Sequence, residues 1–172
     1  MSSALWGTVV LETSNIGEVW VVGVGPWEPE YVTLKAVKLV EGADYVAGLK
    51  QALQVVEKLV KGKTLVIDYT NEGEVLKLLA AEAKAGKKCV ICGYGDPNFS
   101  DKQFVEKIKS VYMDVKVVPG ISSVQVSCAK SGLAIEDSMF ITLHKSGRIN
   151  KEKEELLKVV KEGHRNAIVL PP

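Results

Sequence analysis

The sequence predicts an α/β chain: a doubly wound, mostly parallel five-stranded sheet, followed by the start of a second α/β domain. Three observations lead there. Apolar runs of strand length alternate with helix-length segments, as right-handed crossovers between parallel strands require. The first run, Val19-Trp20-Val21-Val22-Gly23-Val24, is continuously apolar, the pattern of a strand buried on both faces. Gly and Pro fall where elements should stop, at Gly86, Gly132 and Pro171-Pro172.

The elements follow in order. Residues 1–18 read as a poorly organised lead-in, with Ser2, Ser3 and Thr13-Ser14-Asn15 around a short apolar piece. Val32 to Glu41 carries Leu34, Val37, Leu39 and Val40 and suits a helix. Tyr45-Val46-Ala47 is a short strand, and Leu49 to Val60 a helix with Leu49, Leu53, Val56 and Val60 on one face. Thr64 to Ile67 is a strand, and Glu74 to Ala85 an Ala/Leu-rich helix. Cys89 to Cys92 is a strand, Asp101 to Val111 a helix, Val115 to Val118 a strand, and Ser122 to Ser131 a helix. Phe140 to Leu143, Lys151 to Lys161 and Ala167 to Leu170 read as strand, helix and strand. We expect one α/β domain over 19–134. The elements of 135–172 are too few for a core of their own, so they read as the beginning of a C-terminal domain that is incomplete here.

Composition narrows the function classes. The chain has 172 residues, 47% hydrophobic and 25% charged, enough for one real core. A net charge of +1 argues against a general nucleic-acid binder. No apolar run reaches the length of a membrane span, and the N-terminus lacks the pattern of a secretory signal. Three cysteines, an odd number, argue against a disulfide scaffold and fit a reducing cytoplasm.

In an open parallel sheet, ligands bind at the carboxyl ends of the strands, so the loops after the strands matter most. Three are unusual. The first runs Gly23-Val24-Gly25-Pro26-Trp27-Glu28-Pro29-Glu30-Tyr31. It fails as a dinucleotide fingerprint, because Glu28 stands where a third glycine belongs and Pro26 removes a phosphate-binding N–H. Asp44 is an acid at the right distance, but it precedes the second strand instead of ending it. The second loop is Gly93-Tyr94-Gly95-Asp96-Pro97-Asn98-Phe99. Asp96, held extended before a proline, either accepts hydrogen bonds from a ligand or closes an Asx-type turn. The third is Pro119-Gly120-Ile121-Ser122-Ser123, where serines at a helix start cap N–H groups or help hold an anion.

Cys89 and Cys92 form a C-x-x-C, but inside a strand residues i and i+3 point to opposite faces, so we expect core packing and no redox pair. Cys128 is expected to pack on its helix. His144 and His164 have no partners at ligand spacing, so no metal site is expected. No catalytic triad or general base is legible.

Taken together, the three loops resemble the tetrapyrrole methylase family, with its G-x-G-P-G-D-P-x-x-x-T, later G-D-P and P-G-x-S-S loops. Here they read Gly23-Val24-Gly25-Pro26-Trp27-Glu28-Pro29 through Thr33, Gly95-Asp96-Pro97, and Pro119-Gly120-Ile121-Ser122-Ser123. The continuation through Val124-Gln125, Gly132-Leu133, Glu136-Asp137 and Leu143-His144 resembles the branch that methylates C(5) of cobalt-precorrin-7 in cobalamin biosynthesis. The resemblance covers about residues 19–148. It departs at Trp27-Glu28, where the family has Gly-Asp, and after Pro97, where Phe99-Ser100-Asp101 replaces an aromatic residue and Gly.

The resemblance implies C-methylation of a cobalt-corrin precursor with S-adenosyl-L-methionine. It assigns the cofactor to Pro26, Gly95, Asp96, Phe99, Ser122 and Ser123, and the substrate to Gly25, Trp27, Glu28, Tyr31 and His144. It also implies a cytoplasmic homodimer, with a separate decarboxylating methyltransferase as a partner. With only Arg148 and Arg165 as arginines, Lys side chains and backbone N–H groups must meet most of the substrate's carboxylates. The alternatives are a methylase of another precorrin or siroheme precursor, an NAD- or nucleotide-binding module using Gly23 and Gly25, and a non-catalytic interaction domain.

Overall fold

Strands and helices alternate along the whole of the computed structural model, which describes residues 16–99, 101–143 and 147–171. The strands are β1 (Glu18–Gly23), β2 (Tyr45–Gly48), β3 (Lys63–Val66), β4 (Lys88–Gly93), β5 (Val115–Val118), β6 (Ser138–Thr142) and β7 (Asn166–Leu170). The helices are α1 (Leu34–Glu41), α2 (Lys50–Val56), α3 (Glu72–Lys84), α4 (Lys102–Val111), α5 (Ser123–Ser131) and α6 (Asn150–Glu162). The first five strands form one sheet in the order β3-β2-β4-β1-β5, and every pairing in it is parallel. The expected "mostly parallel" sheet is therefore wholly parallel among the described residues. β6 and β7 pair with each other, also in parallel, in a separate two-stranded sheet joined through α6.

Continuous apolar strands are explained by a core on each face. On one face Val22, Val46, Val90, Cys92 and Val118 pack with Ala36 and Val40 of α1 and Ala52, Leu53 and Val56 of α2. On the other, Val19, Val21, Ala47, Cys89 and Ile91 pack with Leu76, Leu79 and Ala83 of α3 and Ile108 of α4. Neighbours along a strand, such as Val21 and Val22 or Val90 and Ile91, go to opposite cores, the period-two alternation of a pleated strand. Thr33 caps α1, its Oγ1 accepting the Ala36 N–H at 3.2 Å. The second expected helix stops earlier than the periodicity predicts: α2 ends at Val56 and tightens into a 3-10 turn over Glu57–Leu59, so Val60 lies beyond it.

The C-x-x-C pair behaves as its strand setting requires. Cys89 lies in the α3/α4 core and Cys92 in the α1/α2 core, and all three cysteines are free and buried. The Cys89 thiol donates to the Leu79 carbonyl at 3.5 Å. Burial pushes the Cys89 thiol up to about 11 and the Cys92 thiol up to about 12. Because both lie above the ordinary thiol value of 9.0, the unfolded chain loses these protons first. Their contribution to stability is full below pH 9.0 and is lost as the pH rises toward those raised values. Cys89→Ala is expected to lower stability by roughly 1–2 kcal/mol as a core truncation. Thermal melts with and without dithiothreitol check this: a wild-type midpoint that moves with reductant, and stops moving in Cys92→Ala, would refute the separation of the sulfurs.

Candidate functional site

β1 and β4 are neighbours, yet the helices that follow them, α1 and α4, cover opposite faces of the sheet. A crevice opens at the carboxyl ends of two such strands, because their connections depart in opposite directions. The strand ends are level, with Gly23 opposite Gly93 and Val22 opposite Val118, so the loops after β1, β4 and β5 begin side by side.

Glycine lets these loops meet backbone to backbone. Gly25 and Gly95 exchange two hydrogen bonds, Gly25 N–H to the Gly95 carbonyl at 3.2 Å and Gly95 N–H to the Gly25 carbonyl at 3.1 Å. Both take positive φ, +75° and +71°. Gly120 completes the seam. A Cβ built there would stand 2.2 Å from the Gly95 carbonyl oxygen and 2.8 Å from the Gly23 backbone. Gly23 is equally tight, with Gly120 N and Gly95 O both 2.5 Å from where its Cβ would be. The three loops singled out in the sequence are thus one structural unit.

The expected cofactor residues sit on this unit. Pro26 is buried. Asp96 closes an Asx turn, its Oδ1 accepting from the Asn98 main-chain N–H and from Asn98 Nδ2, both at 2.9 Å. Phe99 makes an edge contact with Phe140 of β6, ring centroids 5.6 Å apart. Ser122 is 5% exposed and caps α5: its Oγ accepts the Gln125 N–H at 3.1 Å, and Gln125 Oε1 accepts the Ser122 N–H at 2.7 Å. Ser123 opens the helix, its main-chain nitrogen 3.8 Å from the position a Gly95 Cβ would take.

Four of the expected substrate residues, Gly25, Trp27, Glu28 and Tyr31, lie between β1 and α1. Gly25 lies against Tyr31, whose Cβ stands 2.7 Å from the position a Gly25 Cβ would take. Trp27 is 74% exposed and meets Tyr94 edge to face, centroids 5.3 Å apart. Glu28 pairs with Lys130 of α5 at 3.7 Å. His144 lies outside the described residues.

Tyr31 and the α5 residues Gln125, Val126, Ala129 and Lys130, with Ile121, bound an open cleft of about 340 Å³. Its walls are mainly apolar, with the polar ends of Tyr31, Gln125 and Lys130 among them. A hollow of about 440 Å³ elsewhere is lined by Glu154, Leu157, Lys158, Lys161 and Glu162, all from α6, and gathers no groups from different strand ends. Burial raises the Tyr94 phenol, whose hydroxyl is buried without a hydrogen-bond partner among the described residues.

Lys130 and Tyr94 were not singled out in the sequence. Lys130 lies one turn beyond Val126 and two beyond the Ser122 cap, so helical spacing from that cap was the available signal. Tyr94 stood in plain view between Gly93 and Gly95. Asp44 lies at the opposite end of the sheet, accepting the Lys88 N–H at 2.8 Å, which removes it as a ribose ligand. No helix starts directly after β1 either: a 3-10 turn over Pro29–Tyr31 intervenes before α1, so the dinucleotide geometry is missing. Among the described residues no three His, Cys, Asp or Glu side chains form a metal-binding group, and no helix is long and apolar enough to cross a membrane.

The site therefore offers backbone amides, aromatic faces and one Lys–Glu pair. It suits a ligand that brings its own activated group.

Comparison with known proteins gives the family. The family model of the tetrapyrrole (corrin/porphyrin) methylases matches residues 18–172. A probable cobalt-precorrin-7 C(5)-methyltransferase of Methanocaldococcus jannaschii is 37% identical over 154 residues, 89% of this chain and 71% of that protein. An S-adenosyl-L-methionine-dependent uroporphyrinogen III methyltransferase of Methanosarcina barkeri is 29% identical over 83% of this chain. A cobalt-precorrin-4 C(11)-methyltransferase of M. jannaschii is 27% identical over 91%. The chain spans 61% and 64% of the last two, less than two thirds of their length. In fold, the precorrin-6Y methylase of Archaeoglobus fulgidus superposes with a TM-score of 0.64 at 23% identity, covering 88% of this chain and 72% of its own.

Proposed function

Since the chain belongs to the tetrapyrrole methylase family, whose methyl donor is S-adenosyl-L-methionine, we propose that it methylates C(5) of cobalt-precorrin-7. The observation that carries this reading is the 37% identity with the M. jannaschii relative over 154 residues, 89% of this chain. When bound, the cofactor supplies a sulfonium methyl that needs no further activation. The protein's work is then alignment and exclusion of water. On this reading Pro26, Gly95, Asp96, Phe99, Ser122 and Ser123 hold the cofactor. Gly25, Trp27, Glu28, Tyr31 and His144 face the macrocycle. Lys130, freed from Glu28, is placed to meet one of the substrate's carboxylates.

The division near residue 134, a cytoplasmic setting, a homodimer and a separate decarboxylating partner belong to the same proposal. The separate β6–β7 sheet supports the division.

S-adenosylhomocysteine at a hundred times its Kd is expected to raise the melting temperature by about 5–10 °C, and NAD is expected to leave it unchanged. With cobalt-precorrin-7, mass spectrometry is expected to show one added methyl and no loss of carbon dioxide. Two added methyls with decarboxylation, made without a partner, would defeat the assignment. Turnover of uroporphyrinogen III alone would move the reading to the activity named for the M. barkeri relative.

A further inference from the structure

Trp27 occupies a backbone conformation that its side chain disfavours. Its φ of +62° makes it the non-glycine residue with positive φ among those described. The Glu28 N–H donates to the Pro26 carbonyl at 2.7 Å, closing a three-residue turn with Trp27 at its centre. This is the γ-turn form with positive φ, which is rare and strained, and glycine is its natural occupant. Burial does not explain the tryptophan, since the residue is 74% exposed. Strain kept at an exposed aromatic calls for a use of that side chain.

The surroundings supply one. The turn stands at the end of β1, next to the Gly25–Gly95 pair, and Tyr94 reaches Trp27 from the end of β4. The two rings meet at 77°, so they form a corner instead of a closed stack. Glu28, the next residue, pairs with Lys130 at 3.7 Å, which puts a cation beside this corner. A broad conjugated face with acidic arms at its edge matches both features: apolar area against the indole, and a carboxylate toward the ammonium.

We propose that Trp27, braced by Tyr94, is a positioning residue whose indole sets the plane of a polycarboxylated corrin at the mouth of the crevice. The inference rests on the methyltransferase reading above and adds the residue that orients its substrate. The contact is made by the ring, and the methyl donor is held mainly by the loops after β4 and β5, with Pro26 alone from this loop, so the two bindings are separable.

The test compares wild type, Trp27→Gly and Trp27→Phe. Cobyrinic acid, a stable cobalt corrin with free carboxylates, is titrated by absorbance, S-adenosylhomocysteine by calorimetry, and melting temperature is recorded for each. Trp27→Gly is expected to melt at or above the wild-type temperature, because glycine relieves the turn. It is expected to bind S-adenosylhomocysteine within about twofold of wild type and cobyrinic acid at least roughly tenfold more weakly, with Trp27→Phe recovering most of that loss. Corrin binding by Trp27→Gly within about twofold of wild type overturns the inference, as does a lower melting temperature, which would make the indole a structural brace. Wild type that binds S-adenosylhomocysteine but no corrin also overturns it. Wild type that binds neither ligand removes the functional reading itself.

Discussion

Gly120→Ala is expected to cost about 3 kcal/mol in unfolding free energy and to abolish detectable binding of S-adenosylhomocysteine. The added methyl would sit 2.2 Å from the Gly95 carbonyl oxygen and 2.8 Å from the Gly23 backbone, so the loops after β1, β4 and β5 must part to admit it. Main chain cannot rotate aside as a side chain can. Urea unfolding gives the stability loss, and calorimetry the loss of binding. Gly73→Ala is the control: it lies in α3, a Cβ there meets nothing within 4 Å, and a helical Gly-to-Ala change is expected to be neutral or slightly stabilising. If Gly120→Ala unfolded and bound like Gly73→Ala, the close seam would not exist in solution.

Asp96→Ala is expected to weaken S-adenosylhomocysteine binding by roughly 1.5–3 kcal/mol, about ten- to a hundredfold. The structure gives the carboxylate a local task, receiving both Asn98 donors at 2.9 Å, while the Phe99 N–H donates to the Asp96 carbonyl at 2.8 Å. Alanine deletes the turn and the charge together, whereas Asp96→Asn keeps an acceptor for the turn and removes the charge. Weak binding by Asp96→Ala with normal binding by Asp96→Asn assigns the residue to loop shaping. Weak binding by both assigns it to the ligand. Normal binding by both takes Asp96 out of the site.

The architecture was readable because its causes are local. Continuous apolar runs marked strands such as β1 and β4, and the position of Cys89 and Cys92 within one run placed their sulfurs in different cores. The order β3-β2-β4-β1-β5 was not readable, since nothing in the residues of β4 says that it lies beside β1. The site divides the same way. Its three loops could be picked out by glycine, proline and position after a strand. That Gly25, Gly95 and Gly120 touch is a non-local fact, because each is separated from the others by long stretches of chain. Trp27 looked like a simple replacement, and the strain it bears depends on the turn that Pro26 and Glu28 close around it. The early end of α2 was hidden because Leu59 and Val60 continue the apolar character after the helical geometry has tightened.

The paired amides of Gly25 and Gly95 tie the motion of two loops together. Neither N–H can reach solvent unless the shared bridge opens, and that opening frees both at once. The two amides should therefore exchange hydrogen for deuterium at one common rate and slow down together when a ligand settles over them. The Asn98 amide, held only by its own loop's carboxylate, should keep a separate rhythm. The ends of β1 and β4 would then open and close as a single hinged edge, in which access to one loop is access to both.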